Sequence, residues 1–166
     1  MGRAFLFGDN IDTDLLAPGY AMKLPPEELA RHCLEAIDPS FAAVVRRGDV
    51  VVAGRNFGLG SSREQAAVSL KLLGVSAVLA VSFARIFYRN AINLGLPAII
   101  LPLACEIEAG DELSIDPEAG RVENLTQARG YDVAPIPSHL MAMIRDGGLM
   151  PHLKRRLSIR GAGVPE

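Results

Sequence analysis

Tryptophan is missing from this 166-residue chain, and aromatic residues of all kinds make up only 5% of it. Stacking platforms for single-stranded nucleic acid are therefore not expected. Charge of one sign is equally scarce. Lys+Arg is 17 against Asp+Glu 19, a formal net charge of -2, which argues against broad electrostatic binding to nucleic acid or anionic membrane. Cysteine occurs twice, at Cys33 and Cys105, and two thiols without other ligands cannot build a structural zinc or iron–sulfur site. The opening Met1-Gly2-Arg3-Ala4-Phe5, with its apolar stretch broken by Asp9, does not read as a secretory signal. Two reduced, mostly buried thiols in a cytoplasmic protein are expected. No apolar run approaches the roughly 20 residues of a membrane span, and no repeat or low-complexity segment is present.

What is present suits one folded domain: 49% hydrophobic and 22% charged residues lie near the globular average. Ala4–Phe7 reads as a short strand that runs into the acidic, turn-rich Gly8-Asp9-Asn10-Ile11-Asp12-Thr13-Asp14. Pro25-Pro26-Glu27-Glu28 looks like a helix start, and Leu29, Leu34 and Ile37 extend it to Asp38-Pro39. Val50–Ala53, Ala77–Val81 and Pro97–Leu101 are apolar runs read as buried strands. Between them lie helical patterns over Ser61–Leu73 and Phe83–Leu94, closed by Gly74 and Gly95. This βαβαβ order predicts a parallel three-stranded core. Glu112–Ile115, Arg121–Leu125 and Tyr131–Ile136 read as an antiparallel addition, Ser138–Arg145 as a helix, and residues from Ser158 onward as a frayed tail. The fold expected is α/β with a mixed sheet in one domain.

The segment after Val50–Ala53 carries the chemistry. Gly54-Arg55-Asn56-Phe57-Gly58-Leu59-Gly60 links a strand to a helix, an arrangement that aims unpaired N–H groups at an anion. Arg63 falls in the first helical turn, where a cation opposes the dipole, and a negative ligand would relieve that conflict. An arginine can also grip a carboxylate with two parallel hydrogen bonds. Ser61-Ser62-Arg63-Glu64 fits a capping box as well, with Ser61 as cap and Glu64 reaching back. A dinucleotide site is disfavoured, because Arg63 stands where the third fingerprint glycine belongs and no acid ends the next strand. No Gly-Lys-Ser/Thr is present for a P-loop. Arg85 and Arg89, four apart on one helix face, read either as a solvated face or as a partner contact. The three histidines form no cluster and receive no role.

Three segments in order resemble one family. They are Asp9-Asn10-Ile11-Asp12-Thr13-Asp14, the stretch Gly54 to Glu64, and Ser82-Phe83-Ala84-Arg85-Ile86-Phe87-Tyr88-Arg89-Asn90-Ala91-Ile92-Asn93-Leu94-Gly95-Leu96-Pro97. Together they look like the small subunits of 3-isopropylmalate dehydratases, the detached swivel domain of the aconitase superfamily. The resemblance covers residues 2 to 157, so a swivel domain over 1–157 and a tail over 158–166 are expected. It implies a single swivelling β/β/α domain, a parallel βαβαβ core with short antiparallel strands, and a hydro-lyase of leucine biosynthesis that is inactive without its large subunit. A [4Fe–4S] cluster is expected on that partner and no cofactor on this chain. By position, Ser61 resembles the catalytic serine base, while Ser62 and Arg63 resemble ligands of a substrate carboxylate. Tyr20-Ala21-Met22-Lys23 resembles the specificity loop. Met22 suits an alkyl branch, whereas the arm of Lys23 could reach an anion.

The expected reaction is the interconversion of 2- and 3-isopropylmalate. The alternatives are a related hydro-lyase subunit (homoaconitase, citraconate/citramalate or dimethylmalate dehydratase) or a non-catalytic anion-binding module. The acidic run Asp9–Asp14 is expected to brace loops and is assigned no chemical step.

Overall fold

The structure is a computed structural model that describes the backbone of residues 1–161 and the side chains of residues 1–159. In chain order the elements are β1 (Gly2–Leu6), α1 (Thr13–Leu16), α2 (Pro26–Ala30), α3 (Phe41–Val44), β2 (Val50–Ala53), α4 (Glu64–Leu72), β3 (Ala77–Ala80), α5 (Arg85–Asn93), β4 (Ala98–Ile100), β5 (Glu112–Asp116), β6 (Arg121–Asn124), β7 (Arg129–Asp132), α6 (Ser138–Arg145) and α7 (Leu149–Gly161). Single 3-10 turns add Gly19–Ala21 and Ala104–Glu106.

Among the described residues one seven-stranded sheet runs β4-β3-β2-β1-β5-β6-β7. The α/β class with a mixed sheet is thus as the sequence implies. The parallel part has four strands rather than three, because β1 pairs in parallel with β2 through Ala4↔Val50 and Leu6↔Val52. β2, β3 and β4 continue the parallel ladder. On the other side of β1, the strands β5, β6 and β7 are antiparallel.

β2 and β3 are buried at every position, as expected for parallel strands covered on both faces. Their alternate residues feed two cores. Val51, Ala53, Val78 and Ala80 join Leu16, Leu34, Phe41, Phe57, Leu70 and Phe87. Val50, Val52 and Leu79 join Ile99, Leu113, Val122, Tyr131 and Met141. The first core lies under α1–α5, and the second is closed by the curled antiparallel strands and α6. In β6 the alternation shows directly: Val122 and Asn124 are buried, while Arg121 and Glu123 are exposed.

Three expectations are corrected. The helix begun at Pro26 ends at Ala30 instead of running to Ile37. Leu34 turns left-handed (φ 62°), and its N–H donates to the Leu15 carbonyl at 2.8 Å, which a continuous helix would forbid. The helix expected from Ser61 starts at Glu64, for reasons given below. Cys33 is buried in the first core and apolar burial pushes its thiol pKa up, but Cys105 is exposed. At the carboxyl end, α7 runs through Gly161 and so overlaps the start of the tail expected from Ser158. The Ser158 hydroxyl donates to the Lys154 carbonyl at 2.9 Å. The rest of the expected tail, residues 162–166, lies outside the described residues.

Candidate active site

Parallel neighbours bring the loops after β1, β2 and β3 to one end of the sheet. These loops are stitched together rather than merely adjacent. The Asn10 N–H donates to the Arg55 carbonyl (2.8 Å), Gly58 N–H to Ile11 (2.7 Å), Thr13 N–H to Leu59 (2.8 Å) and Phe57 N–H to Ser82 (3.0 Å). Asp9 Oδ1 accepts from the Arg55 N–H at 2.7 Å, and Asp12 Oδ1 caps α1 through the Leu15 N–H at 2.8 Å. The Asn56 amide donates to Asn10 Oδ1 at 2.9 Å. The acidic run therefore braces loops, as its turn-rich composition suggests.

Glycine is required at two points of the β2–α4 loop. Gly58 (φ 80°) would place a Cβ 2.2 Å from the Phe87 ring, and Gly60 (φ 110°) would place one 3.0 Å from Thr13 Oγ1. Left-handed backbone and close approach both favour a residue without Cβ. This geometry also undoes the expected capping box. The Arg63 N–H folds back to the Ser61 carbonyl at 2.8 Å, and Arg63 itself is extended (φ -67°, ψ 106°) as the residue preceding α4. The Ser61 hydroxyl lies 3.3 Å from Thr13 Oγ1 instead of capping the helix. Among the described residues no side chain caps α4, so its leading N–H groups remain available to an anion.

Ser61 and Ser62 are exposed, and Arg63 is half-buried. Arg63 Nη1 donates to Asp14 Oδ1 at 2.7 Å and to the Ala17 carbonyl at 3.0 Å. Asp14 Oδ1 also accepts the Gly19 N–H at 2.9 Å. The Arg63 hydrogen bond, with help from Gly19, holds the Asp14 carboxyl below the usual carboxylate range. The cation placed against the α4 dipole is thus compensated within the chain. Both of its hydrogen bonds use Nη1, so Nε and Nη2 carry the free donor capacity of the guanidinium.

Sequence reasoning passed over Thr13 and Asp14 as individual residues. The signal that points to them is topological: parallel neighbours β1 and β2 must set their following loops side by side.

The loop expected to set specificity is only partly brought to this place. Gly19 reaches it through Asp14. Tyr20 is 72% exposed and lies edge-on to His32, with its hydroxyl 3.4 Å from His32 Nδ1. Met22 is half-buried and packs against the first core. Lys23 is exposed. A groove of about 940 Å³ borders the same glycine loop from the α5 side. Gly58, Gly60, Phe83, Arg85, Ile86 and Arg89 are in its wall, but not Ser61 or Arg63.

An iron–sulfur cluster does not fit the donors of this chain. Cluster ligands are thiolates. Here the Cys33 thiol is sealed in the core, Cys105 stands alone, and among the described residues no group of three or more His, Cys, Asp or Glu side chains could hold a metal ion. Among the described residues, no helix is long and apolar enough to cross a membrane.

Comparison with known proteins agrees with this geometry. The aconitase C-terminal domain family matches residues 36–106, a span that takes in β2, the glycine loop, α4, β3, α5 and β4. With the full-length relatives that follow, this match places the chain in the class of the aconitase-type hydro-lyases. The chain is 52% identical over 158 residues to a 3-isopropylmalate dehydratase small subunit of Moorella thermoacetica, covering 94% of this chain and 95% of the relative. It is 51% identical to the methanogen homoaconitase small subunit of Methanothermobacter thermautotrophicus, covering 91% and 88%. The crystal structure of a 3-isopropylmalate dehydratase from Methanocaldococcus jannaschii superposes with a TM-score of 0.92 at 43% identity, covering 98% of each chain. The chain belongs to the family of 3-isopropylmalate dehydratase small subunits.

Proposed function

We propose that this chain is the small subunit of a heteromeric hydro-lyase that interconverts 2- and 3-isopropylmalate, and that its share of the reaction is to hold the substrate carboxylate and to move one proton. The observation that carries this reading is the loop itself. An exposed serine hydroxyl, Ser61, and an arginine held by Asp14 stand together before an uncapped helix.

Arg63 presents Nε and Nη2 to a carboxylate, and Ser62 offers a hydroxyl beside it. Ser61 Oγ takes the proton alpha to that carboxylate during dehydration and returns it during hydration. A serine hydroxyl is too weak an acid to ionise unaided near neutral pH. Its anion needs preorganised donors and exclusion of water, and the α4 N–H groups and Arg63 supply the donors. In the free chain Ser61 and Ser62 face solvent, so exclusion of water falls to the large subunit that closes over them. That partner also holds the [4Fe–4S] cluster, which when bound would supply the Lewis acid for the substrate hydroxyl that leaves as the proton is removed. Arg85 and Arg89, exposed at the edge of the groove, fit carboxylates of such a partner.

A second reading is favoured by one observation. Met22 is half-buried against the core while Lys23 is exposed, so the expected specificity loop presents a cation, which suits the extra carboxylate of a homoaconitase-type substrate. The test is anaerobic reconstitution with the iron–sulfur subunit from the same genome, followed by assays on 3-isopropylmalate, homocitrate, citramalate and dimethylmalate. Preference for 3-isopropylmalate is expected. Preference for homocitrate would establish the second reading, and a well-folded complex inactive on all four would contradict both.

A further inference from the structure

Thr13 is 3% exposed. Its hydroxyl lies under the glycine loop, where a Cβ at Gly60 would come within 3.0 Å of it. Among the described residues, its hydroxyl has one hydrogen-bond partner, Ser61 Oγ at 3.3 Å. That contact is long for a hydroxyl pair, as contacts to a catalytic group commonly are before substrate binds. The two oxygens differ in surroundings, and the difference favours one direction for the bond. A buried hydroxyl that withholds its proton leaves an unpaired donor in a dry site. Ser61 is exposed and can direct its own proton outward, to solvent or to a ligand. Either hydroxyl can donate, and the burial of Thr13 favours Thr13 as the donor and Ser61 as the acceptor.

We infer that Thr13 is a positioning residue for Ser61: its buried hydroxyl fixes the serine rotamer and donates a hydrogen bond that favours the ionised serine over the neutral one. This inference rests on Ser61 being the base, as proposed above. A donor aimed at an oxygen that becomes negative is worth more than the same donor beside a neutral one. The backbone keeps it in register, because the Thr13 N–H is anchored on the Leu59 carbonyl at 2.8 Å in the same loop. Removing the hydroxyl should lower the fraction of ionised serine without loosening the grip on the carboxylate, which belongs to Arg63.

The experiment compares wild type, Thr13→Val, Thr13→Ser and Ser61→Ala in the complex with the iron–sulfur subunit. Thr13→Val keeps the shape and removes the hydroxyl. It is expected to lower kcat about tenfold or more, with KM changed by less than about twofold. The rise of activity with pH should move upward by about one unit, since one unit corresponds to tenfold in ionised fraction. Thr13→Ser should restore both. Ser61→Ala tests the reading underneath: an active Ser61→Ala enzyme removes the base assignment whatever Thr13 does. An inactive Ser61→Ala enzyme beside a Thr13→Val enzyme of wild-type kcat and unmoved pH profile overturns the role of Thr13 alone. A drop in kcat with an unmoved pH profile, or one that Thr13→Ser does not rescue, assigns Thr13 to packing and overturns it too. If Thr13→Val fails to fold, Thr13→Ala removes the same hydroxyl and serves the same comparison.

Discussion

The parallel and antiparallel halves of the sheet use carboxylates in opposite ways. In the parallel half, Asp9 and Asp14 accept from the loops after β1 and β2 and from Arg63, and Asp14 is well exposed. In the antiparallel half, Asp111 is buried at the start of β5. Its Oδ2 accepts from the Glu108 N–H (2.9 Å), Asn124 Nδ2 (2.6 Å) and Gln127 Nε2 (2.7 Å). The Glu108 N–H, with Asn124 and Gln127, holds that carboxyl below its usual range against the effect of burial. Both aspartates have lowered pKa values, but one orients a cation at an open site and the other ties strands into the core. A perturbed carboxyl points to function where its partner has donors within reach of a ligand, as half-buried Arg63 does and buried Asn124 does not.

This contrast can be broken at three points, from the largest effect to the smallest. Gly58→Ala drives a Cβ into Phe87 at a left-handed position and should cost about 3 kcal/mol or more of stability, read as the shift in a denaturant midpoint. Arg63→Lys keeps the charge but loses the paired donors. It should lower kcat/KM about 30- to 100-fold, shared between KM and kcat because Arg63 both holds the carboxylate and supports the serine anion, while the melting temperature stays within about 2 °C. Asp111→Asn should do the reverse, with about 2 kcal/mol lost at pH 7 and kcat unchanged in the assembled enzyme.

The sign of the pH effect follows from the lowered pKa. The contribution of Asp111 is complete above the unfolded value near pH 4 and disappears as pH falls through the lower folded value. The gap in stability between wild type and Asp111→Asn should therefore close below about pH 4, as followed by thermal unfolding across pH. A gap that persists there would mean that hydrogen bonds to the neutral form, not the charge, tie β5.

Most of the parallel half was legible because its strands are unbroken apolar runs, and the glycine loop between β2 and α4 has few alternatives. The antiparallel strands were legible to within a few residues from their turns and alternation. Two places misled for identifiable reasons. Leu29, Leu34 and Ile37 are spaced like a helix face, but Leu34 is buried at left-handed backbone and paired with Leu15, a long-range bond that no local pattern encodes. Ser61 and Glu64 have the spacing of a capping box, but the serine hydroxyl is turned to Thr13, 48 residues away in sequence. The same cause, pairing across two loops, hid Thr13 and Asp14.

The central claim is that Ser61 moves the substrate proton. The most direct measurement is the washout of deuterium from the carbon alpha to the substrate carboxylate into solvent, in complexes assembled with wild-type or Ser61→Ala small subunit, alongside substrate affinity. The account predicts that Ser61→Ala binds substrate with Kd within about threefold of wild type and slows washout by about 10²-fold or more. Washout within about tenfold of wild type at equal occupancy would contradict it and place the base elsewhere in the complex.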